Sequence, residues 1–172
     1  TELNGAPRDL SGNSRNPDVI GCTYDTDRFG NWAKAYKLQG SNDRIWWNFD
    51  SNFPELHKVA ICTWFKIPQH SYKSWLLGIG KNATNEGFVL GFNNKFSGPL
   101  TAELFTGFWN CTPPQNGISA DNFYQVDKWN HIAVTYDGLR VRAYLNSEFK
   151  AESNITTNSP FISSSGGLYI GN

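Results

Sequence analysis

The stretch Trp129-Asn130-His131-Ile132-Ala133-Val134-Thr135-Tyr136-Asp137-Gly138-Leu139-Arg140-Val141-Arg142-Ala143-Tyr144-Leu145-Asn146 decides the fold. Ile132, Val134 and Tyr136 alternate with His131, Ala133 and Thr135. After Asp137-Gly138, the set Leu139, Val141, Ala143 and Leu145 alternates with Arg140, Arg142 and Tyr144. Successive side chains of a strand point to opposite faces, so a period of two collects one apolar face per strand. Asp-Gly between two such runs supplies the left-handed backbone a tight connection needs, and the whole reads as a β-hairpin. A hairpin with one apolar face requires a second layer to cover it.

The rest of the chain extends that reading. It has 172 residues, enough for one domain with a sizeable core, and we assign residues 1–172 to a single domain. Aromatic residues make up 15%, and 16 Gly and 8 Pro punctuate short apolar runs. No uninterrupted helical period occurs; the nearest candidate, Asn52 to Lys58, contains Pro54 and reads as a turn or loop. This pattern predicts an all-β, antiparallel two-sheet sandwich. Basic and acidic residues balance at 15 each, which argues against nucleic acid as a partner. Arg140, Arg142 and Lys150 read as solvated outer faces of strands. No apolar run has the length of a membrane span, so no membrane insertion is expected.

Five blocks carry a family resemblance. They are Leu3 to Asn13 (L-N-G-A-P-R-D-L-S-G-N), Thr26 to Ile45, Val59 to Pro68 (V-A-I-C-T-W-F-K-I-P), the Trp129 hairpin, and Gly166 to Asn172 (G-G-L-Y-I-G-N). In this order they resemble the laminin-G-like, concanavalin A-like jelly-roll domains. The resemblance implies a jelly roll in which Trp64 and Trp129 belong to the core and His131 is a packed, hydrogen-bonded residue. It also implies a further C-terminal strand returning beside the N-terminal one. Within 1–172 that strand is expected to be missing, or to be supplied by a neighbouring chain that completes the sheet. The chain has no Met, which reads as a processed or excised piece.

Three cysteines, Cys22, Cys62 and Cys111, allow at most one internal disulfide, and one pair among them is expected. Cys62 falls mid-strand, where a buried thiol is ordinary; Cys22 falls in an expected strand from Val19 to Tyr24, and Cys111 in a Pro-rich loop. The N-x-S/T triplets at Asn82, Asn110 and Asn154 are candidate glycosylation sites, although a chain this rich in Asn, Ser and Thr contains such triplets by composition alone. Asp25, Asp27 and Asn31 cluster in D-T-D-R-F-G-N, and Asp43 lies in a second turn. These hard oxygens are candidate Ca2+ ligands, and the alternative is that they are turn-forming residues needing no ion. No organic cofactor is expected.

Catalysis finds little support in the residues. Glycosidases need paired carboxylates on one face, and Asp25 with Asp27 is the nearest approach to such a pair. Glu103 stands alone, and the E-x-D-x-x-E pattern of the family's β-glucanases is absent. Recognition is better served. Sugars stack on aromatic rings while Asn, Asp and Gln bind hydroxyls. Candidate ligand contacts are Trp75 and, in an expected loop from Phe105 to Gln115, Phe108, Trp109, Asn110 and Gln115. Trp46-Trp47 is a further pair, one of which must face away from the core. The expected function is therefore a non-catalytic extracellular binding module, secreted or surface-displayed, for glycan recognition or adhesion. The alternatives are a structural subunit of an extracellular assembly working through protein contacts and, third, a polysaccharide hydrolase. An exposed aromatic platform beside Asn and Asp favours the first; a flat apolar patch favours the second.

Overall fold

The computed structural model describes residues 2–3, 6–68, 74–81, 86–92, 104–109, 116–155 and 166–171. Among them every regular element is a strand: β1 (Glu2–Leu3), β2 (Ala6–Pro7), β3 (Asp18–Ile20), β4 (Thr23–Asp25), β5 (Ala35–Lys37), β6 (Arg44–Asn48), β7 (Val59–Phe65) and β8 (Ser74–Lys81) come first. They are followed by β9 (Glu86–Phe92), β10 (Leu104–Trp109), β11 (Asn116–Ala120), β12 (Asn130–Tyr136), β13 (Arg140–Leu145), β14 (Glu148–Asn154) and β15 (Gly167–Ile170). Two antiparallel sheets form the sandwich. The larger has the order β11-β10-β9-β8-β15-β6-β3, and the smaller β14-β13-β12-β7. Two further two-stranded ribbons, β1-β2 and β4-β5, lie outside them. The chain is an all-β antiparallel two-sheet sandwich.

The expected hairpin is the heart of the smaller sheet. β12 pairs with β13 from Ile132↔Leu145 to Tyr136↔Val141. Ile132, Val134, Val141 and Ala143 are fully buried and Tyr136 and Leu145 nearly so. Opposite them, from the larger sheet, come Phe88, Leu90 and Phe92 of β9, also without exposed surface or nearly so. Phe65, Phe92 and Tyr124 close one part of this core with ring centroids 4.6 to 5.7 Å apart. The connection is held by Asp137, whose Oδ1 accepts the backbone N–H of Leu139 and of Arg140 while Oδ2 accepts Arg142 Nη1 at 2.7 Å. Gly138 takes the left-handed conformation, with φ +101°.

Several expectations require correction. Leu139 is exposed, because it sits in the turn rather than in β13. Trp64 is 42% exposed rather than core, and Cys62 is likewise exposed. In β7 the inward positions are Val59, Ile61, Thr63 and Phe65, so alternation sends Cys62 and Trp64 outward. Trp129 lies just before β12 and is half-buried. The expected strand from Val19 to Tyr24 is broken at Gly21 (φ +74°) into β3 and β4. Gly21 is required there twice over, because a side chain would also collide with the Asp43 carboxylate. The segment from Phe105 is strand, not loop, as far as Trp109. Cys22 and Cys62 carry free thiols, and Cys111 lies outside the described residues, so no disulfide occurs among the described cysteines.

Candidate functional site

β6 carries the Trp46-Trp47 pair, and the strand resolves it. Ile45 and Trp47 turn toward the interior, where Trp47 meets Phe49 and Phe53 at ring-centroid distances of 5.3 and 5.6 Å. Trp46 turns outward and stacks on Tyr169 of β15, its cross-strand partner, at 6.1 Å and 21°. Its indole N–H is buried and meets no acceptor among the described residues, the kind of unsatisfied donor that binding sites retain. Around this aromatic ledge the same face carries polar groups: Asn48 and Arg44 two residues either side on β6, and Asp18 directly across on β3.

The register extends this face across the sheet. From Tyr169 and Gly167 on β15 it passes to Gly78 and Gly80 on β8, then to Gly87, Val89 and Gly91 on β9. It continues through positions 105, 107 and 109 of β10 to Gly117 and Ser119 of β11. Seven glycines (Gly78, Gly80, Gly87, Gly91, Gly107, Gly117 and Gly167) therefore share the outer face of the larger sheet. Glycine is disfavoured in strands, and its repeated use marks a place where the backbone itself must be approached. The five strands from β15 to β11 span about 19 Å at the usual strand spacing. Gly78 is open: a Cβ built on it meets nothing within 4 Å. Gly167 is instead roofed by the Tyr169 ring, whose nearest atom lies 3.2 Å from the corresponding point. Gly80 and Gly87 face each other with φ of +135° and +141°, a conformation that side chains exclude. The result is an aromatic ledge beside the open, half-buried Gly78, whereas Gly80, Gly87, Gly91 and Gly167 on the same face are buried.

Of the expected ligand contacts, Trp75 falls on this face, paired with Gly91 and half-buried. Position 109 falls on it too, paired with Gly87, whereas position 108 pairs with Phe88 on the core side of the register. Asn110 and Gln115 lie outside the described residues, as do the sequons at Asn82 and Asn110; Asn154 is exposed at the end of β14. Tyr169 and the glycines were not singled out from sequence. The available signal was G-I-G at 78–80, together with Gly at the outward-phase positions 87 and 91 of an otherwise apolar strand.

The oxygen-rich turns are not assembled as a cation cage. Among the described residues no group of three His, Cys, Asp or Glu side chains converges to hold a metal. Asp27 is occupied within its own loop: Oδ1 accepts the N–H of Phe29 and of Asn31, and Oδ2 accepts Asn31 Nδ2. Asp43 Oδ2 accepts the N–H of Gln39 and of Gly40, and these bonds hold its carboxyl below the usual range. Asp25 Oδ1 accepts the Thr26 N–H, and Oδ2 lies 4.0 Å from Lys37. These arrangements are turn chemistry, in which each carboxylate bonds the backbone of its own turn. On the glycine-lined face, Asp18 is the single carboxylate among the described strand positions. The two facing carboxylates of glycoside hydrolysis are not assembled there.

Comparison with known proteins fits this geometry. A laminin G-type family model, described as the concanavalin A-like lectin/glucanases superfamily, matches residues 39–172. No curated protein matches the chain. Among solved structures, the receptor binding domain of botulinum neurotoxin D superposes with a TM-score of 0.71 at 16% identity, over 98% of this chain and 42% of that one. Domain 4 of AbnA, a GH43 extracellular arabinanase from Geobacillus stearothermophilus solved with arabinotriose, gives 0.65 at 17% identity, covering 97% and 78%. The CBM40 of Ruminococcus gnavus IT-sialidase, bound to α2,3 sialyllactose, gives 0.53 at 13% identity, covering 66% and 62%. This chain spans about two fifths of the toxin domains it resembles. At these identities the likeness establishes the shared fold.

Proposed function

Because the chain belongs to the concanavalin A-like lectin/glucanases superfamily, we propose that it is a non-catalytic glycan-recognition module, secreted or displayed at a cell surface, that binds an extended saccharide along the outer face of the larger sheet. The observation that carries this reading is the open notch at Gly78 beside the Trp46–Tyr169 ledge. A sugar ring stacks its C–H face on an aromatic ring, and neighbouring Asn, Asp and Arg side chains bind its hydroxyls. Trp46, with Asn48, Arg44 and Asp18 around it, supplies that combination. The open position at Gly78 lets a sugar ring lie close to the sheet beside the ledge. The neighbours solved with arabinotriose and with sialyllactose lend support at the level of ligand class.

The test is a glycan array followed by calorimetry on the best ligand, with Gly78→Val and Trp46→Ala compared against the wild type. The Cβ of the substituted side chain enters open space, so the substitution begins to fill the notch without a backbone clash. For a neutral oligosaccharide, Gly78→Val is expected to abolish binding with an unchanged melting temperature. Trp46→Ala is expected to weaken binding by about tenfold, roughly 1.4 kcal/mol. Full affinity in Gly78→Val would move the ligand off this face. Silence across the array would count against glycan recognition itself.

A further inference from the structure

A second group of aromatic rings lies away from the glycine-lined face, in the loop between β4 and β5. The loop is tied by its own hydrogen bonds: Asp27 N–H donates to the Asn31 carbonyl at 3.0 Å and Gly30 N–H to the Asp27 carbonyl at 3.1 Å. The Asp27 carboxylate accepts three more donors, as above. A loop built this way holds its side chains in place before any ligand arrives. It presents Phe29 and Trp32, each 70% exposed, although burial of such rings is the ordinary outcome. Between them in sequence, Arg28 reaches over the smaller sheet. Its guanidinium carbon lies 3.9 Å from the Phe29 ring centre and 4.2 Å from that of Trp64. Trp64 in turn lies 5.1 Å from His131 on β12.

Arg28 thus lies over two rings in the electrostatic reach of Asp27, and forms no ion pair among the described residues. Arg15, Arg140 and Arg142 by contrast pair with carboxylates: Arg15 with Asp50, Arg140 with Glu152, and Arg142 with Asp137 and Glu152. Rings hold a guanidinium by its faces and use none of its N–H donors, which lie in the plane and project outward. A fixed planar fork with free donors matches a carboxylate, which it binds through two parallel hydrogen bonds. The exposed rings of Phe29 and, in the same loop, Trp32 are suited to the apolar face of a sugar ring. Asn31, between those rings in sequence and exposed, adds a hydroxyl-binding amide.

We infer that Arg28, Phe29, Trp32 and Trp64 form a second saccharide site, specific for an acidic sugar whose carboxylate is held by Arg28. It deepens the reading of the domain as a glycan module, but it uses a different face and different residues, so the two can fail separately. The site accounts for the exposure of Trp64, which the core does not need, and for a guanidinium placed over two rings with no ion pair among the described residues.

The experiment is a binding panel of uronate- and sialate-bearing oligosaccharides together with their carboxyl-reduced counterparts. It compares the wild type, Arg28→Lys, Trp32→Ala and Gly78→Val, with melting temperature as a control on folding. Wild type is expected to prefer acidic ligands at least tenfold over the reduced forms. Arg28→Lys is expected to abolish that preference, since lysine keeps the charge and loses the fork. Trp32→Ala is expected to weaken acidic and reduced ligands alike, and Gly78→Val to leave acidic-sugar binding intact. Equal binding of acidic and reduced ligands, or no loss in Arg28→Lys, overturns the inference. So does equal retention of an acidic peptide such as polyglutamate, which would transfer the site to protein recognition. Loss of acidic-sugar binding in Gly78→Val would return all recognition to the glycine-lined face.

Discussion

Asn130 shows how much one polar side chain can organise. It has no exposed surface, yet its Oδ1 accepts the Gln125 N–H, and its Nδ2 donates to the carbonyls of Gln125 and Lys128. One amide thereby pins the turn that delivers the chain into β12. Asn130→Ala leaves those backbone groups without partners, and a loss of about 1–3 kcal/mol in chemical denaturation is expected. Asp137 acts on the other end of the same strand. Hydrogen bonds from the Arg140 and Leu139 N–H groups, then from Arg142, lower its pKa from 3.8 to about 2. The folded state therefore favours the carboxylate more than the unfolded chain does. Its stabilising contribution is complete above the ordinary aspartate range and is lost as pH falls through about 2. Asp137→Asn should flatten the acid limb of a stability–pH curve relative to wild type; an unchanged slope would show that the turn does not depend on this charge. Cys62 offers a third residue-scale check. Its exposed free thiol should react with a thiol reagent in the folded protein, and resistance before denaturation would contradict the outward phase of β7.

At the scale of elements, the β12–β13 hairpin was legible because one face had to be apolar and the Asp-Gly turn fixed its register. Every inward residue predicted within the two strands is buried, and the lone miss, Leu139, is a turn residue. Ile132→Ala, deep between the sheets, is expected to cost about 2–5 kcal/mol, measured as a shift in denaturation midpoint at constant slope. A much smaller loss would mean that the hairpin is not the centre of the core. β7 was read less well. Its run V-A-I-C-T-W-F contains apolar residues in both phases, so alternation alone does not say which set is inward. The neighbouring β12 settles it, since Val134 pairs with Ile61 and His131 with Trp64. β10 was missed as a strand because Gly107 and the polar residues after it read as a loop, whereas pairing to both β9 and β11 overrides that weak propensity.

At the scale of the molecule, the glycine-lined face draws residues from seven strands, β3, β6, β8 to β11 and β15, that span most of the chain. β15, late in the chain, enters between β8 and β6, and so brings Tyr169 onto Trp46 and Gly167 beside Gly80. The second aromatic group is built the same way, from a loop at 26–34 laid against Trp64. Among the described residues no helix is long and apolar enough to cross a membrane. The expected Ca2+ residues fared differently from the aromatics. Asp27 and Asn31 are hydrogen-bonded to each other while Asp25 faces Lys37, and a short polar side chain in a turn satisfies the backbone of its own loop first.

The sequence by itself determined the class of fold, the central hairpin and the division of Trp46 and Trp47 between two faces, because these follow from local rules of period and turn chemistry. Only the tertiary structure decided which face each ambiguous strand buries, which glycines line up on one face, and which rings Arg28 lies over. Those outcomes depend on the order of strands and on cross-strand register, and both are set by contacts between residues distant along the chain, which no local pattern encodes.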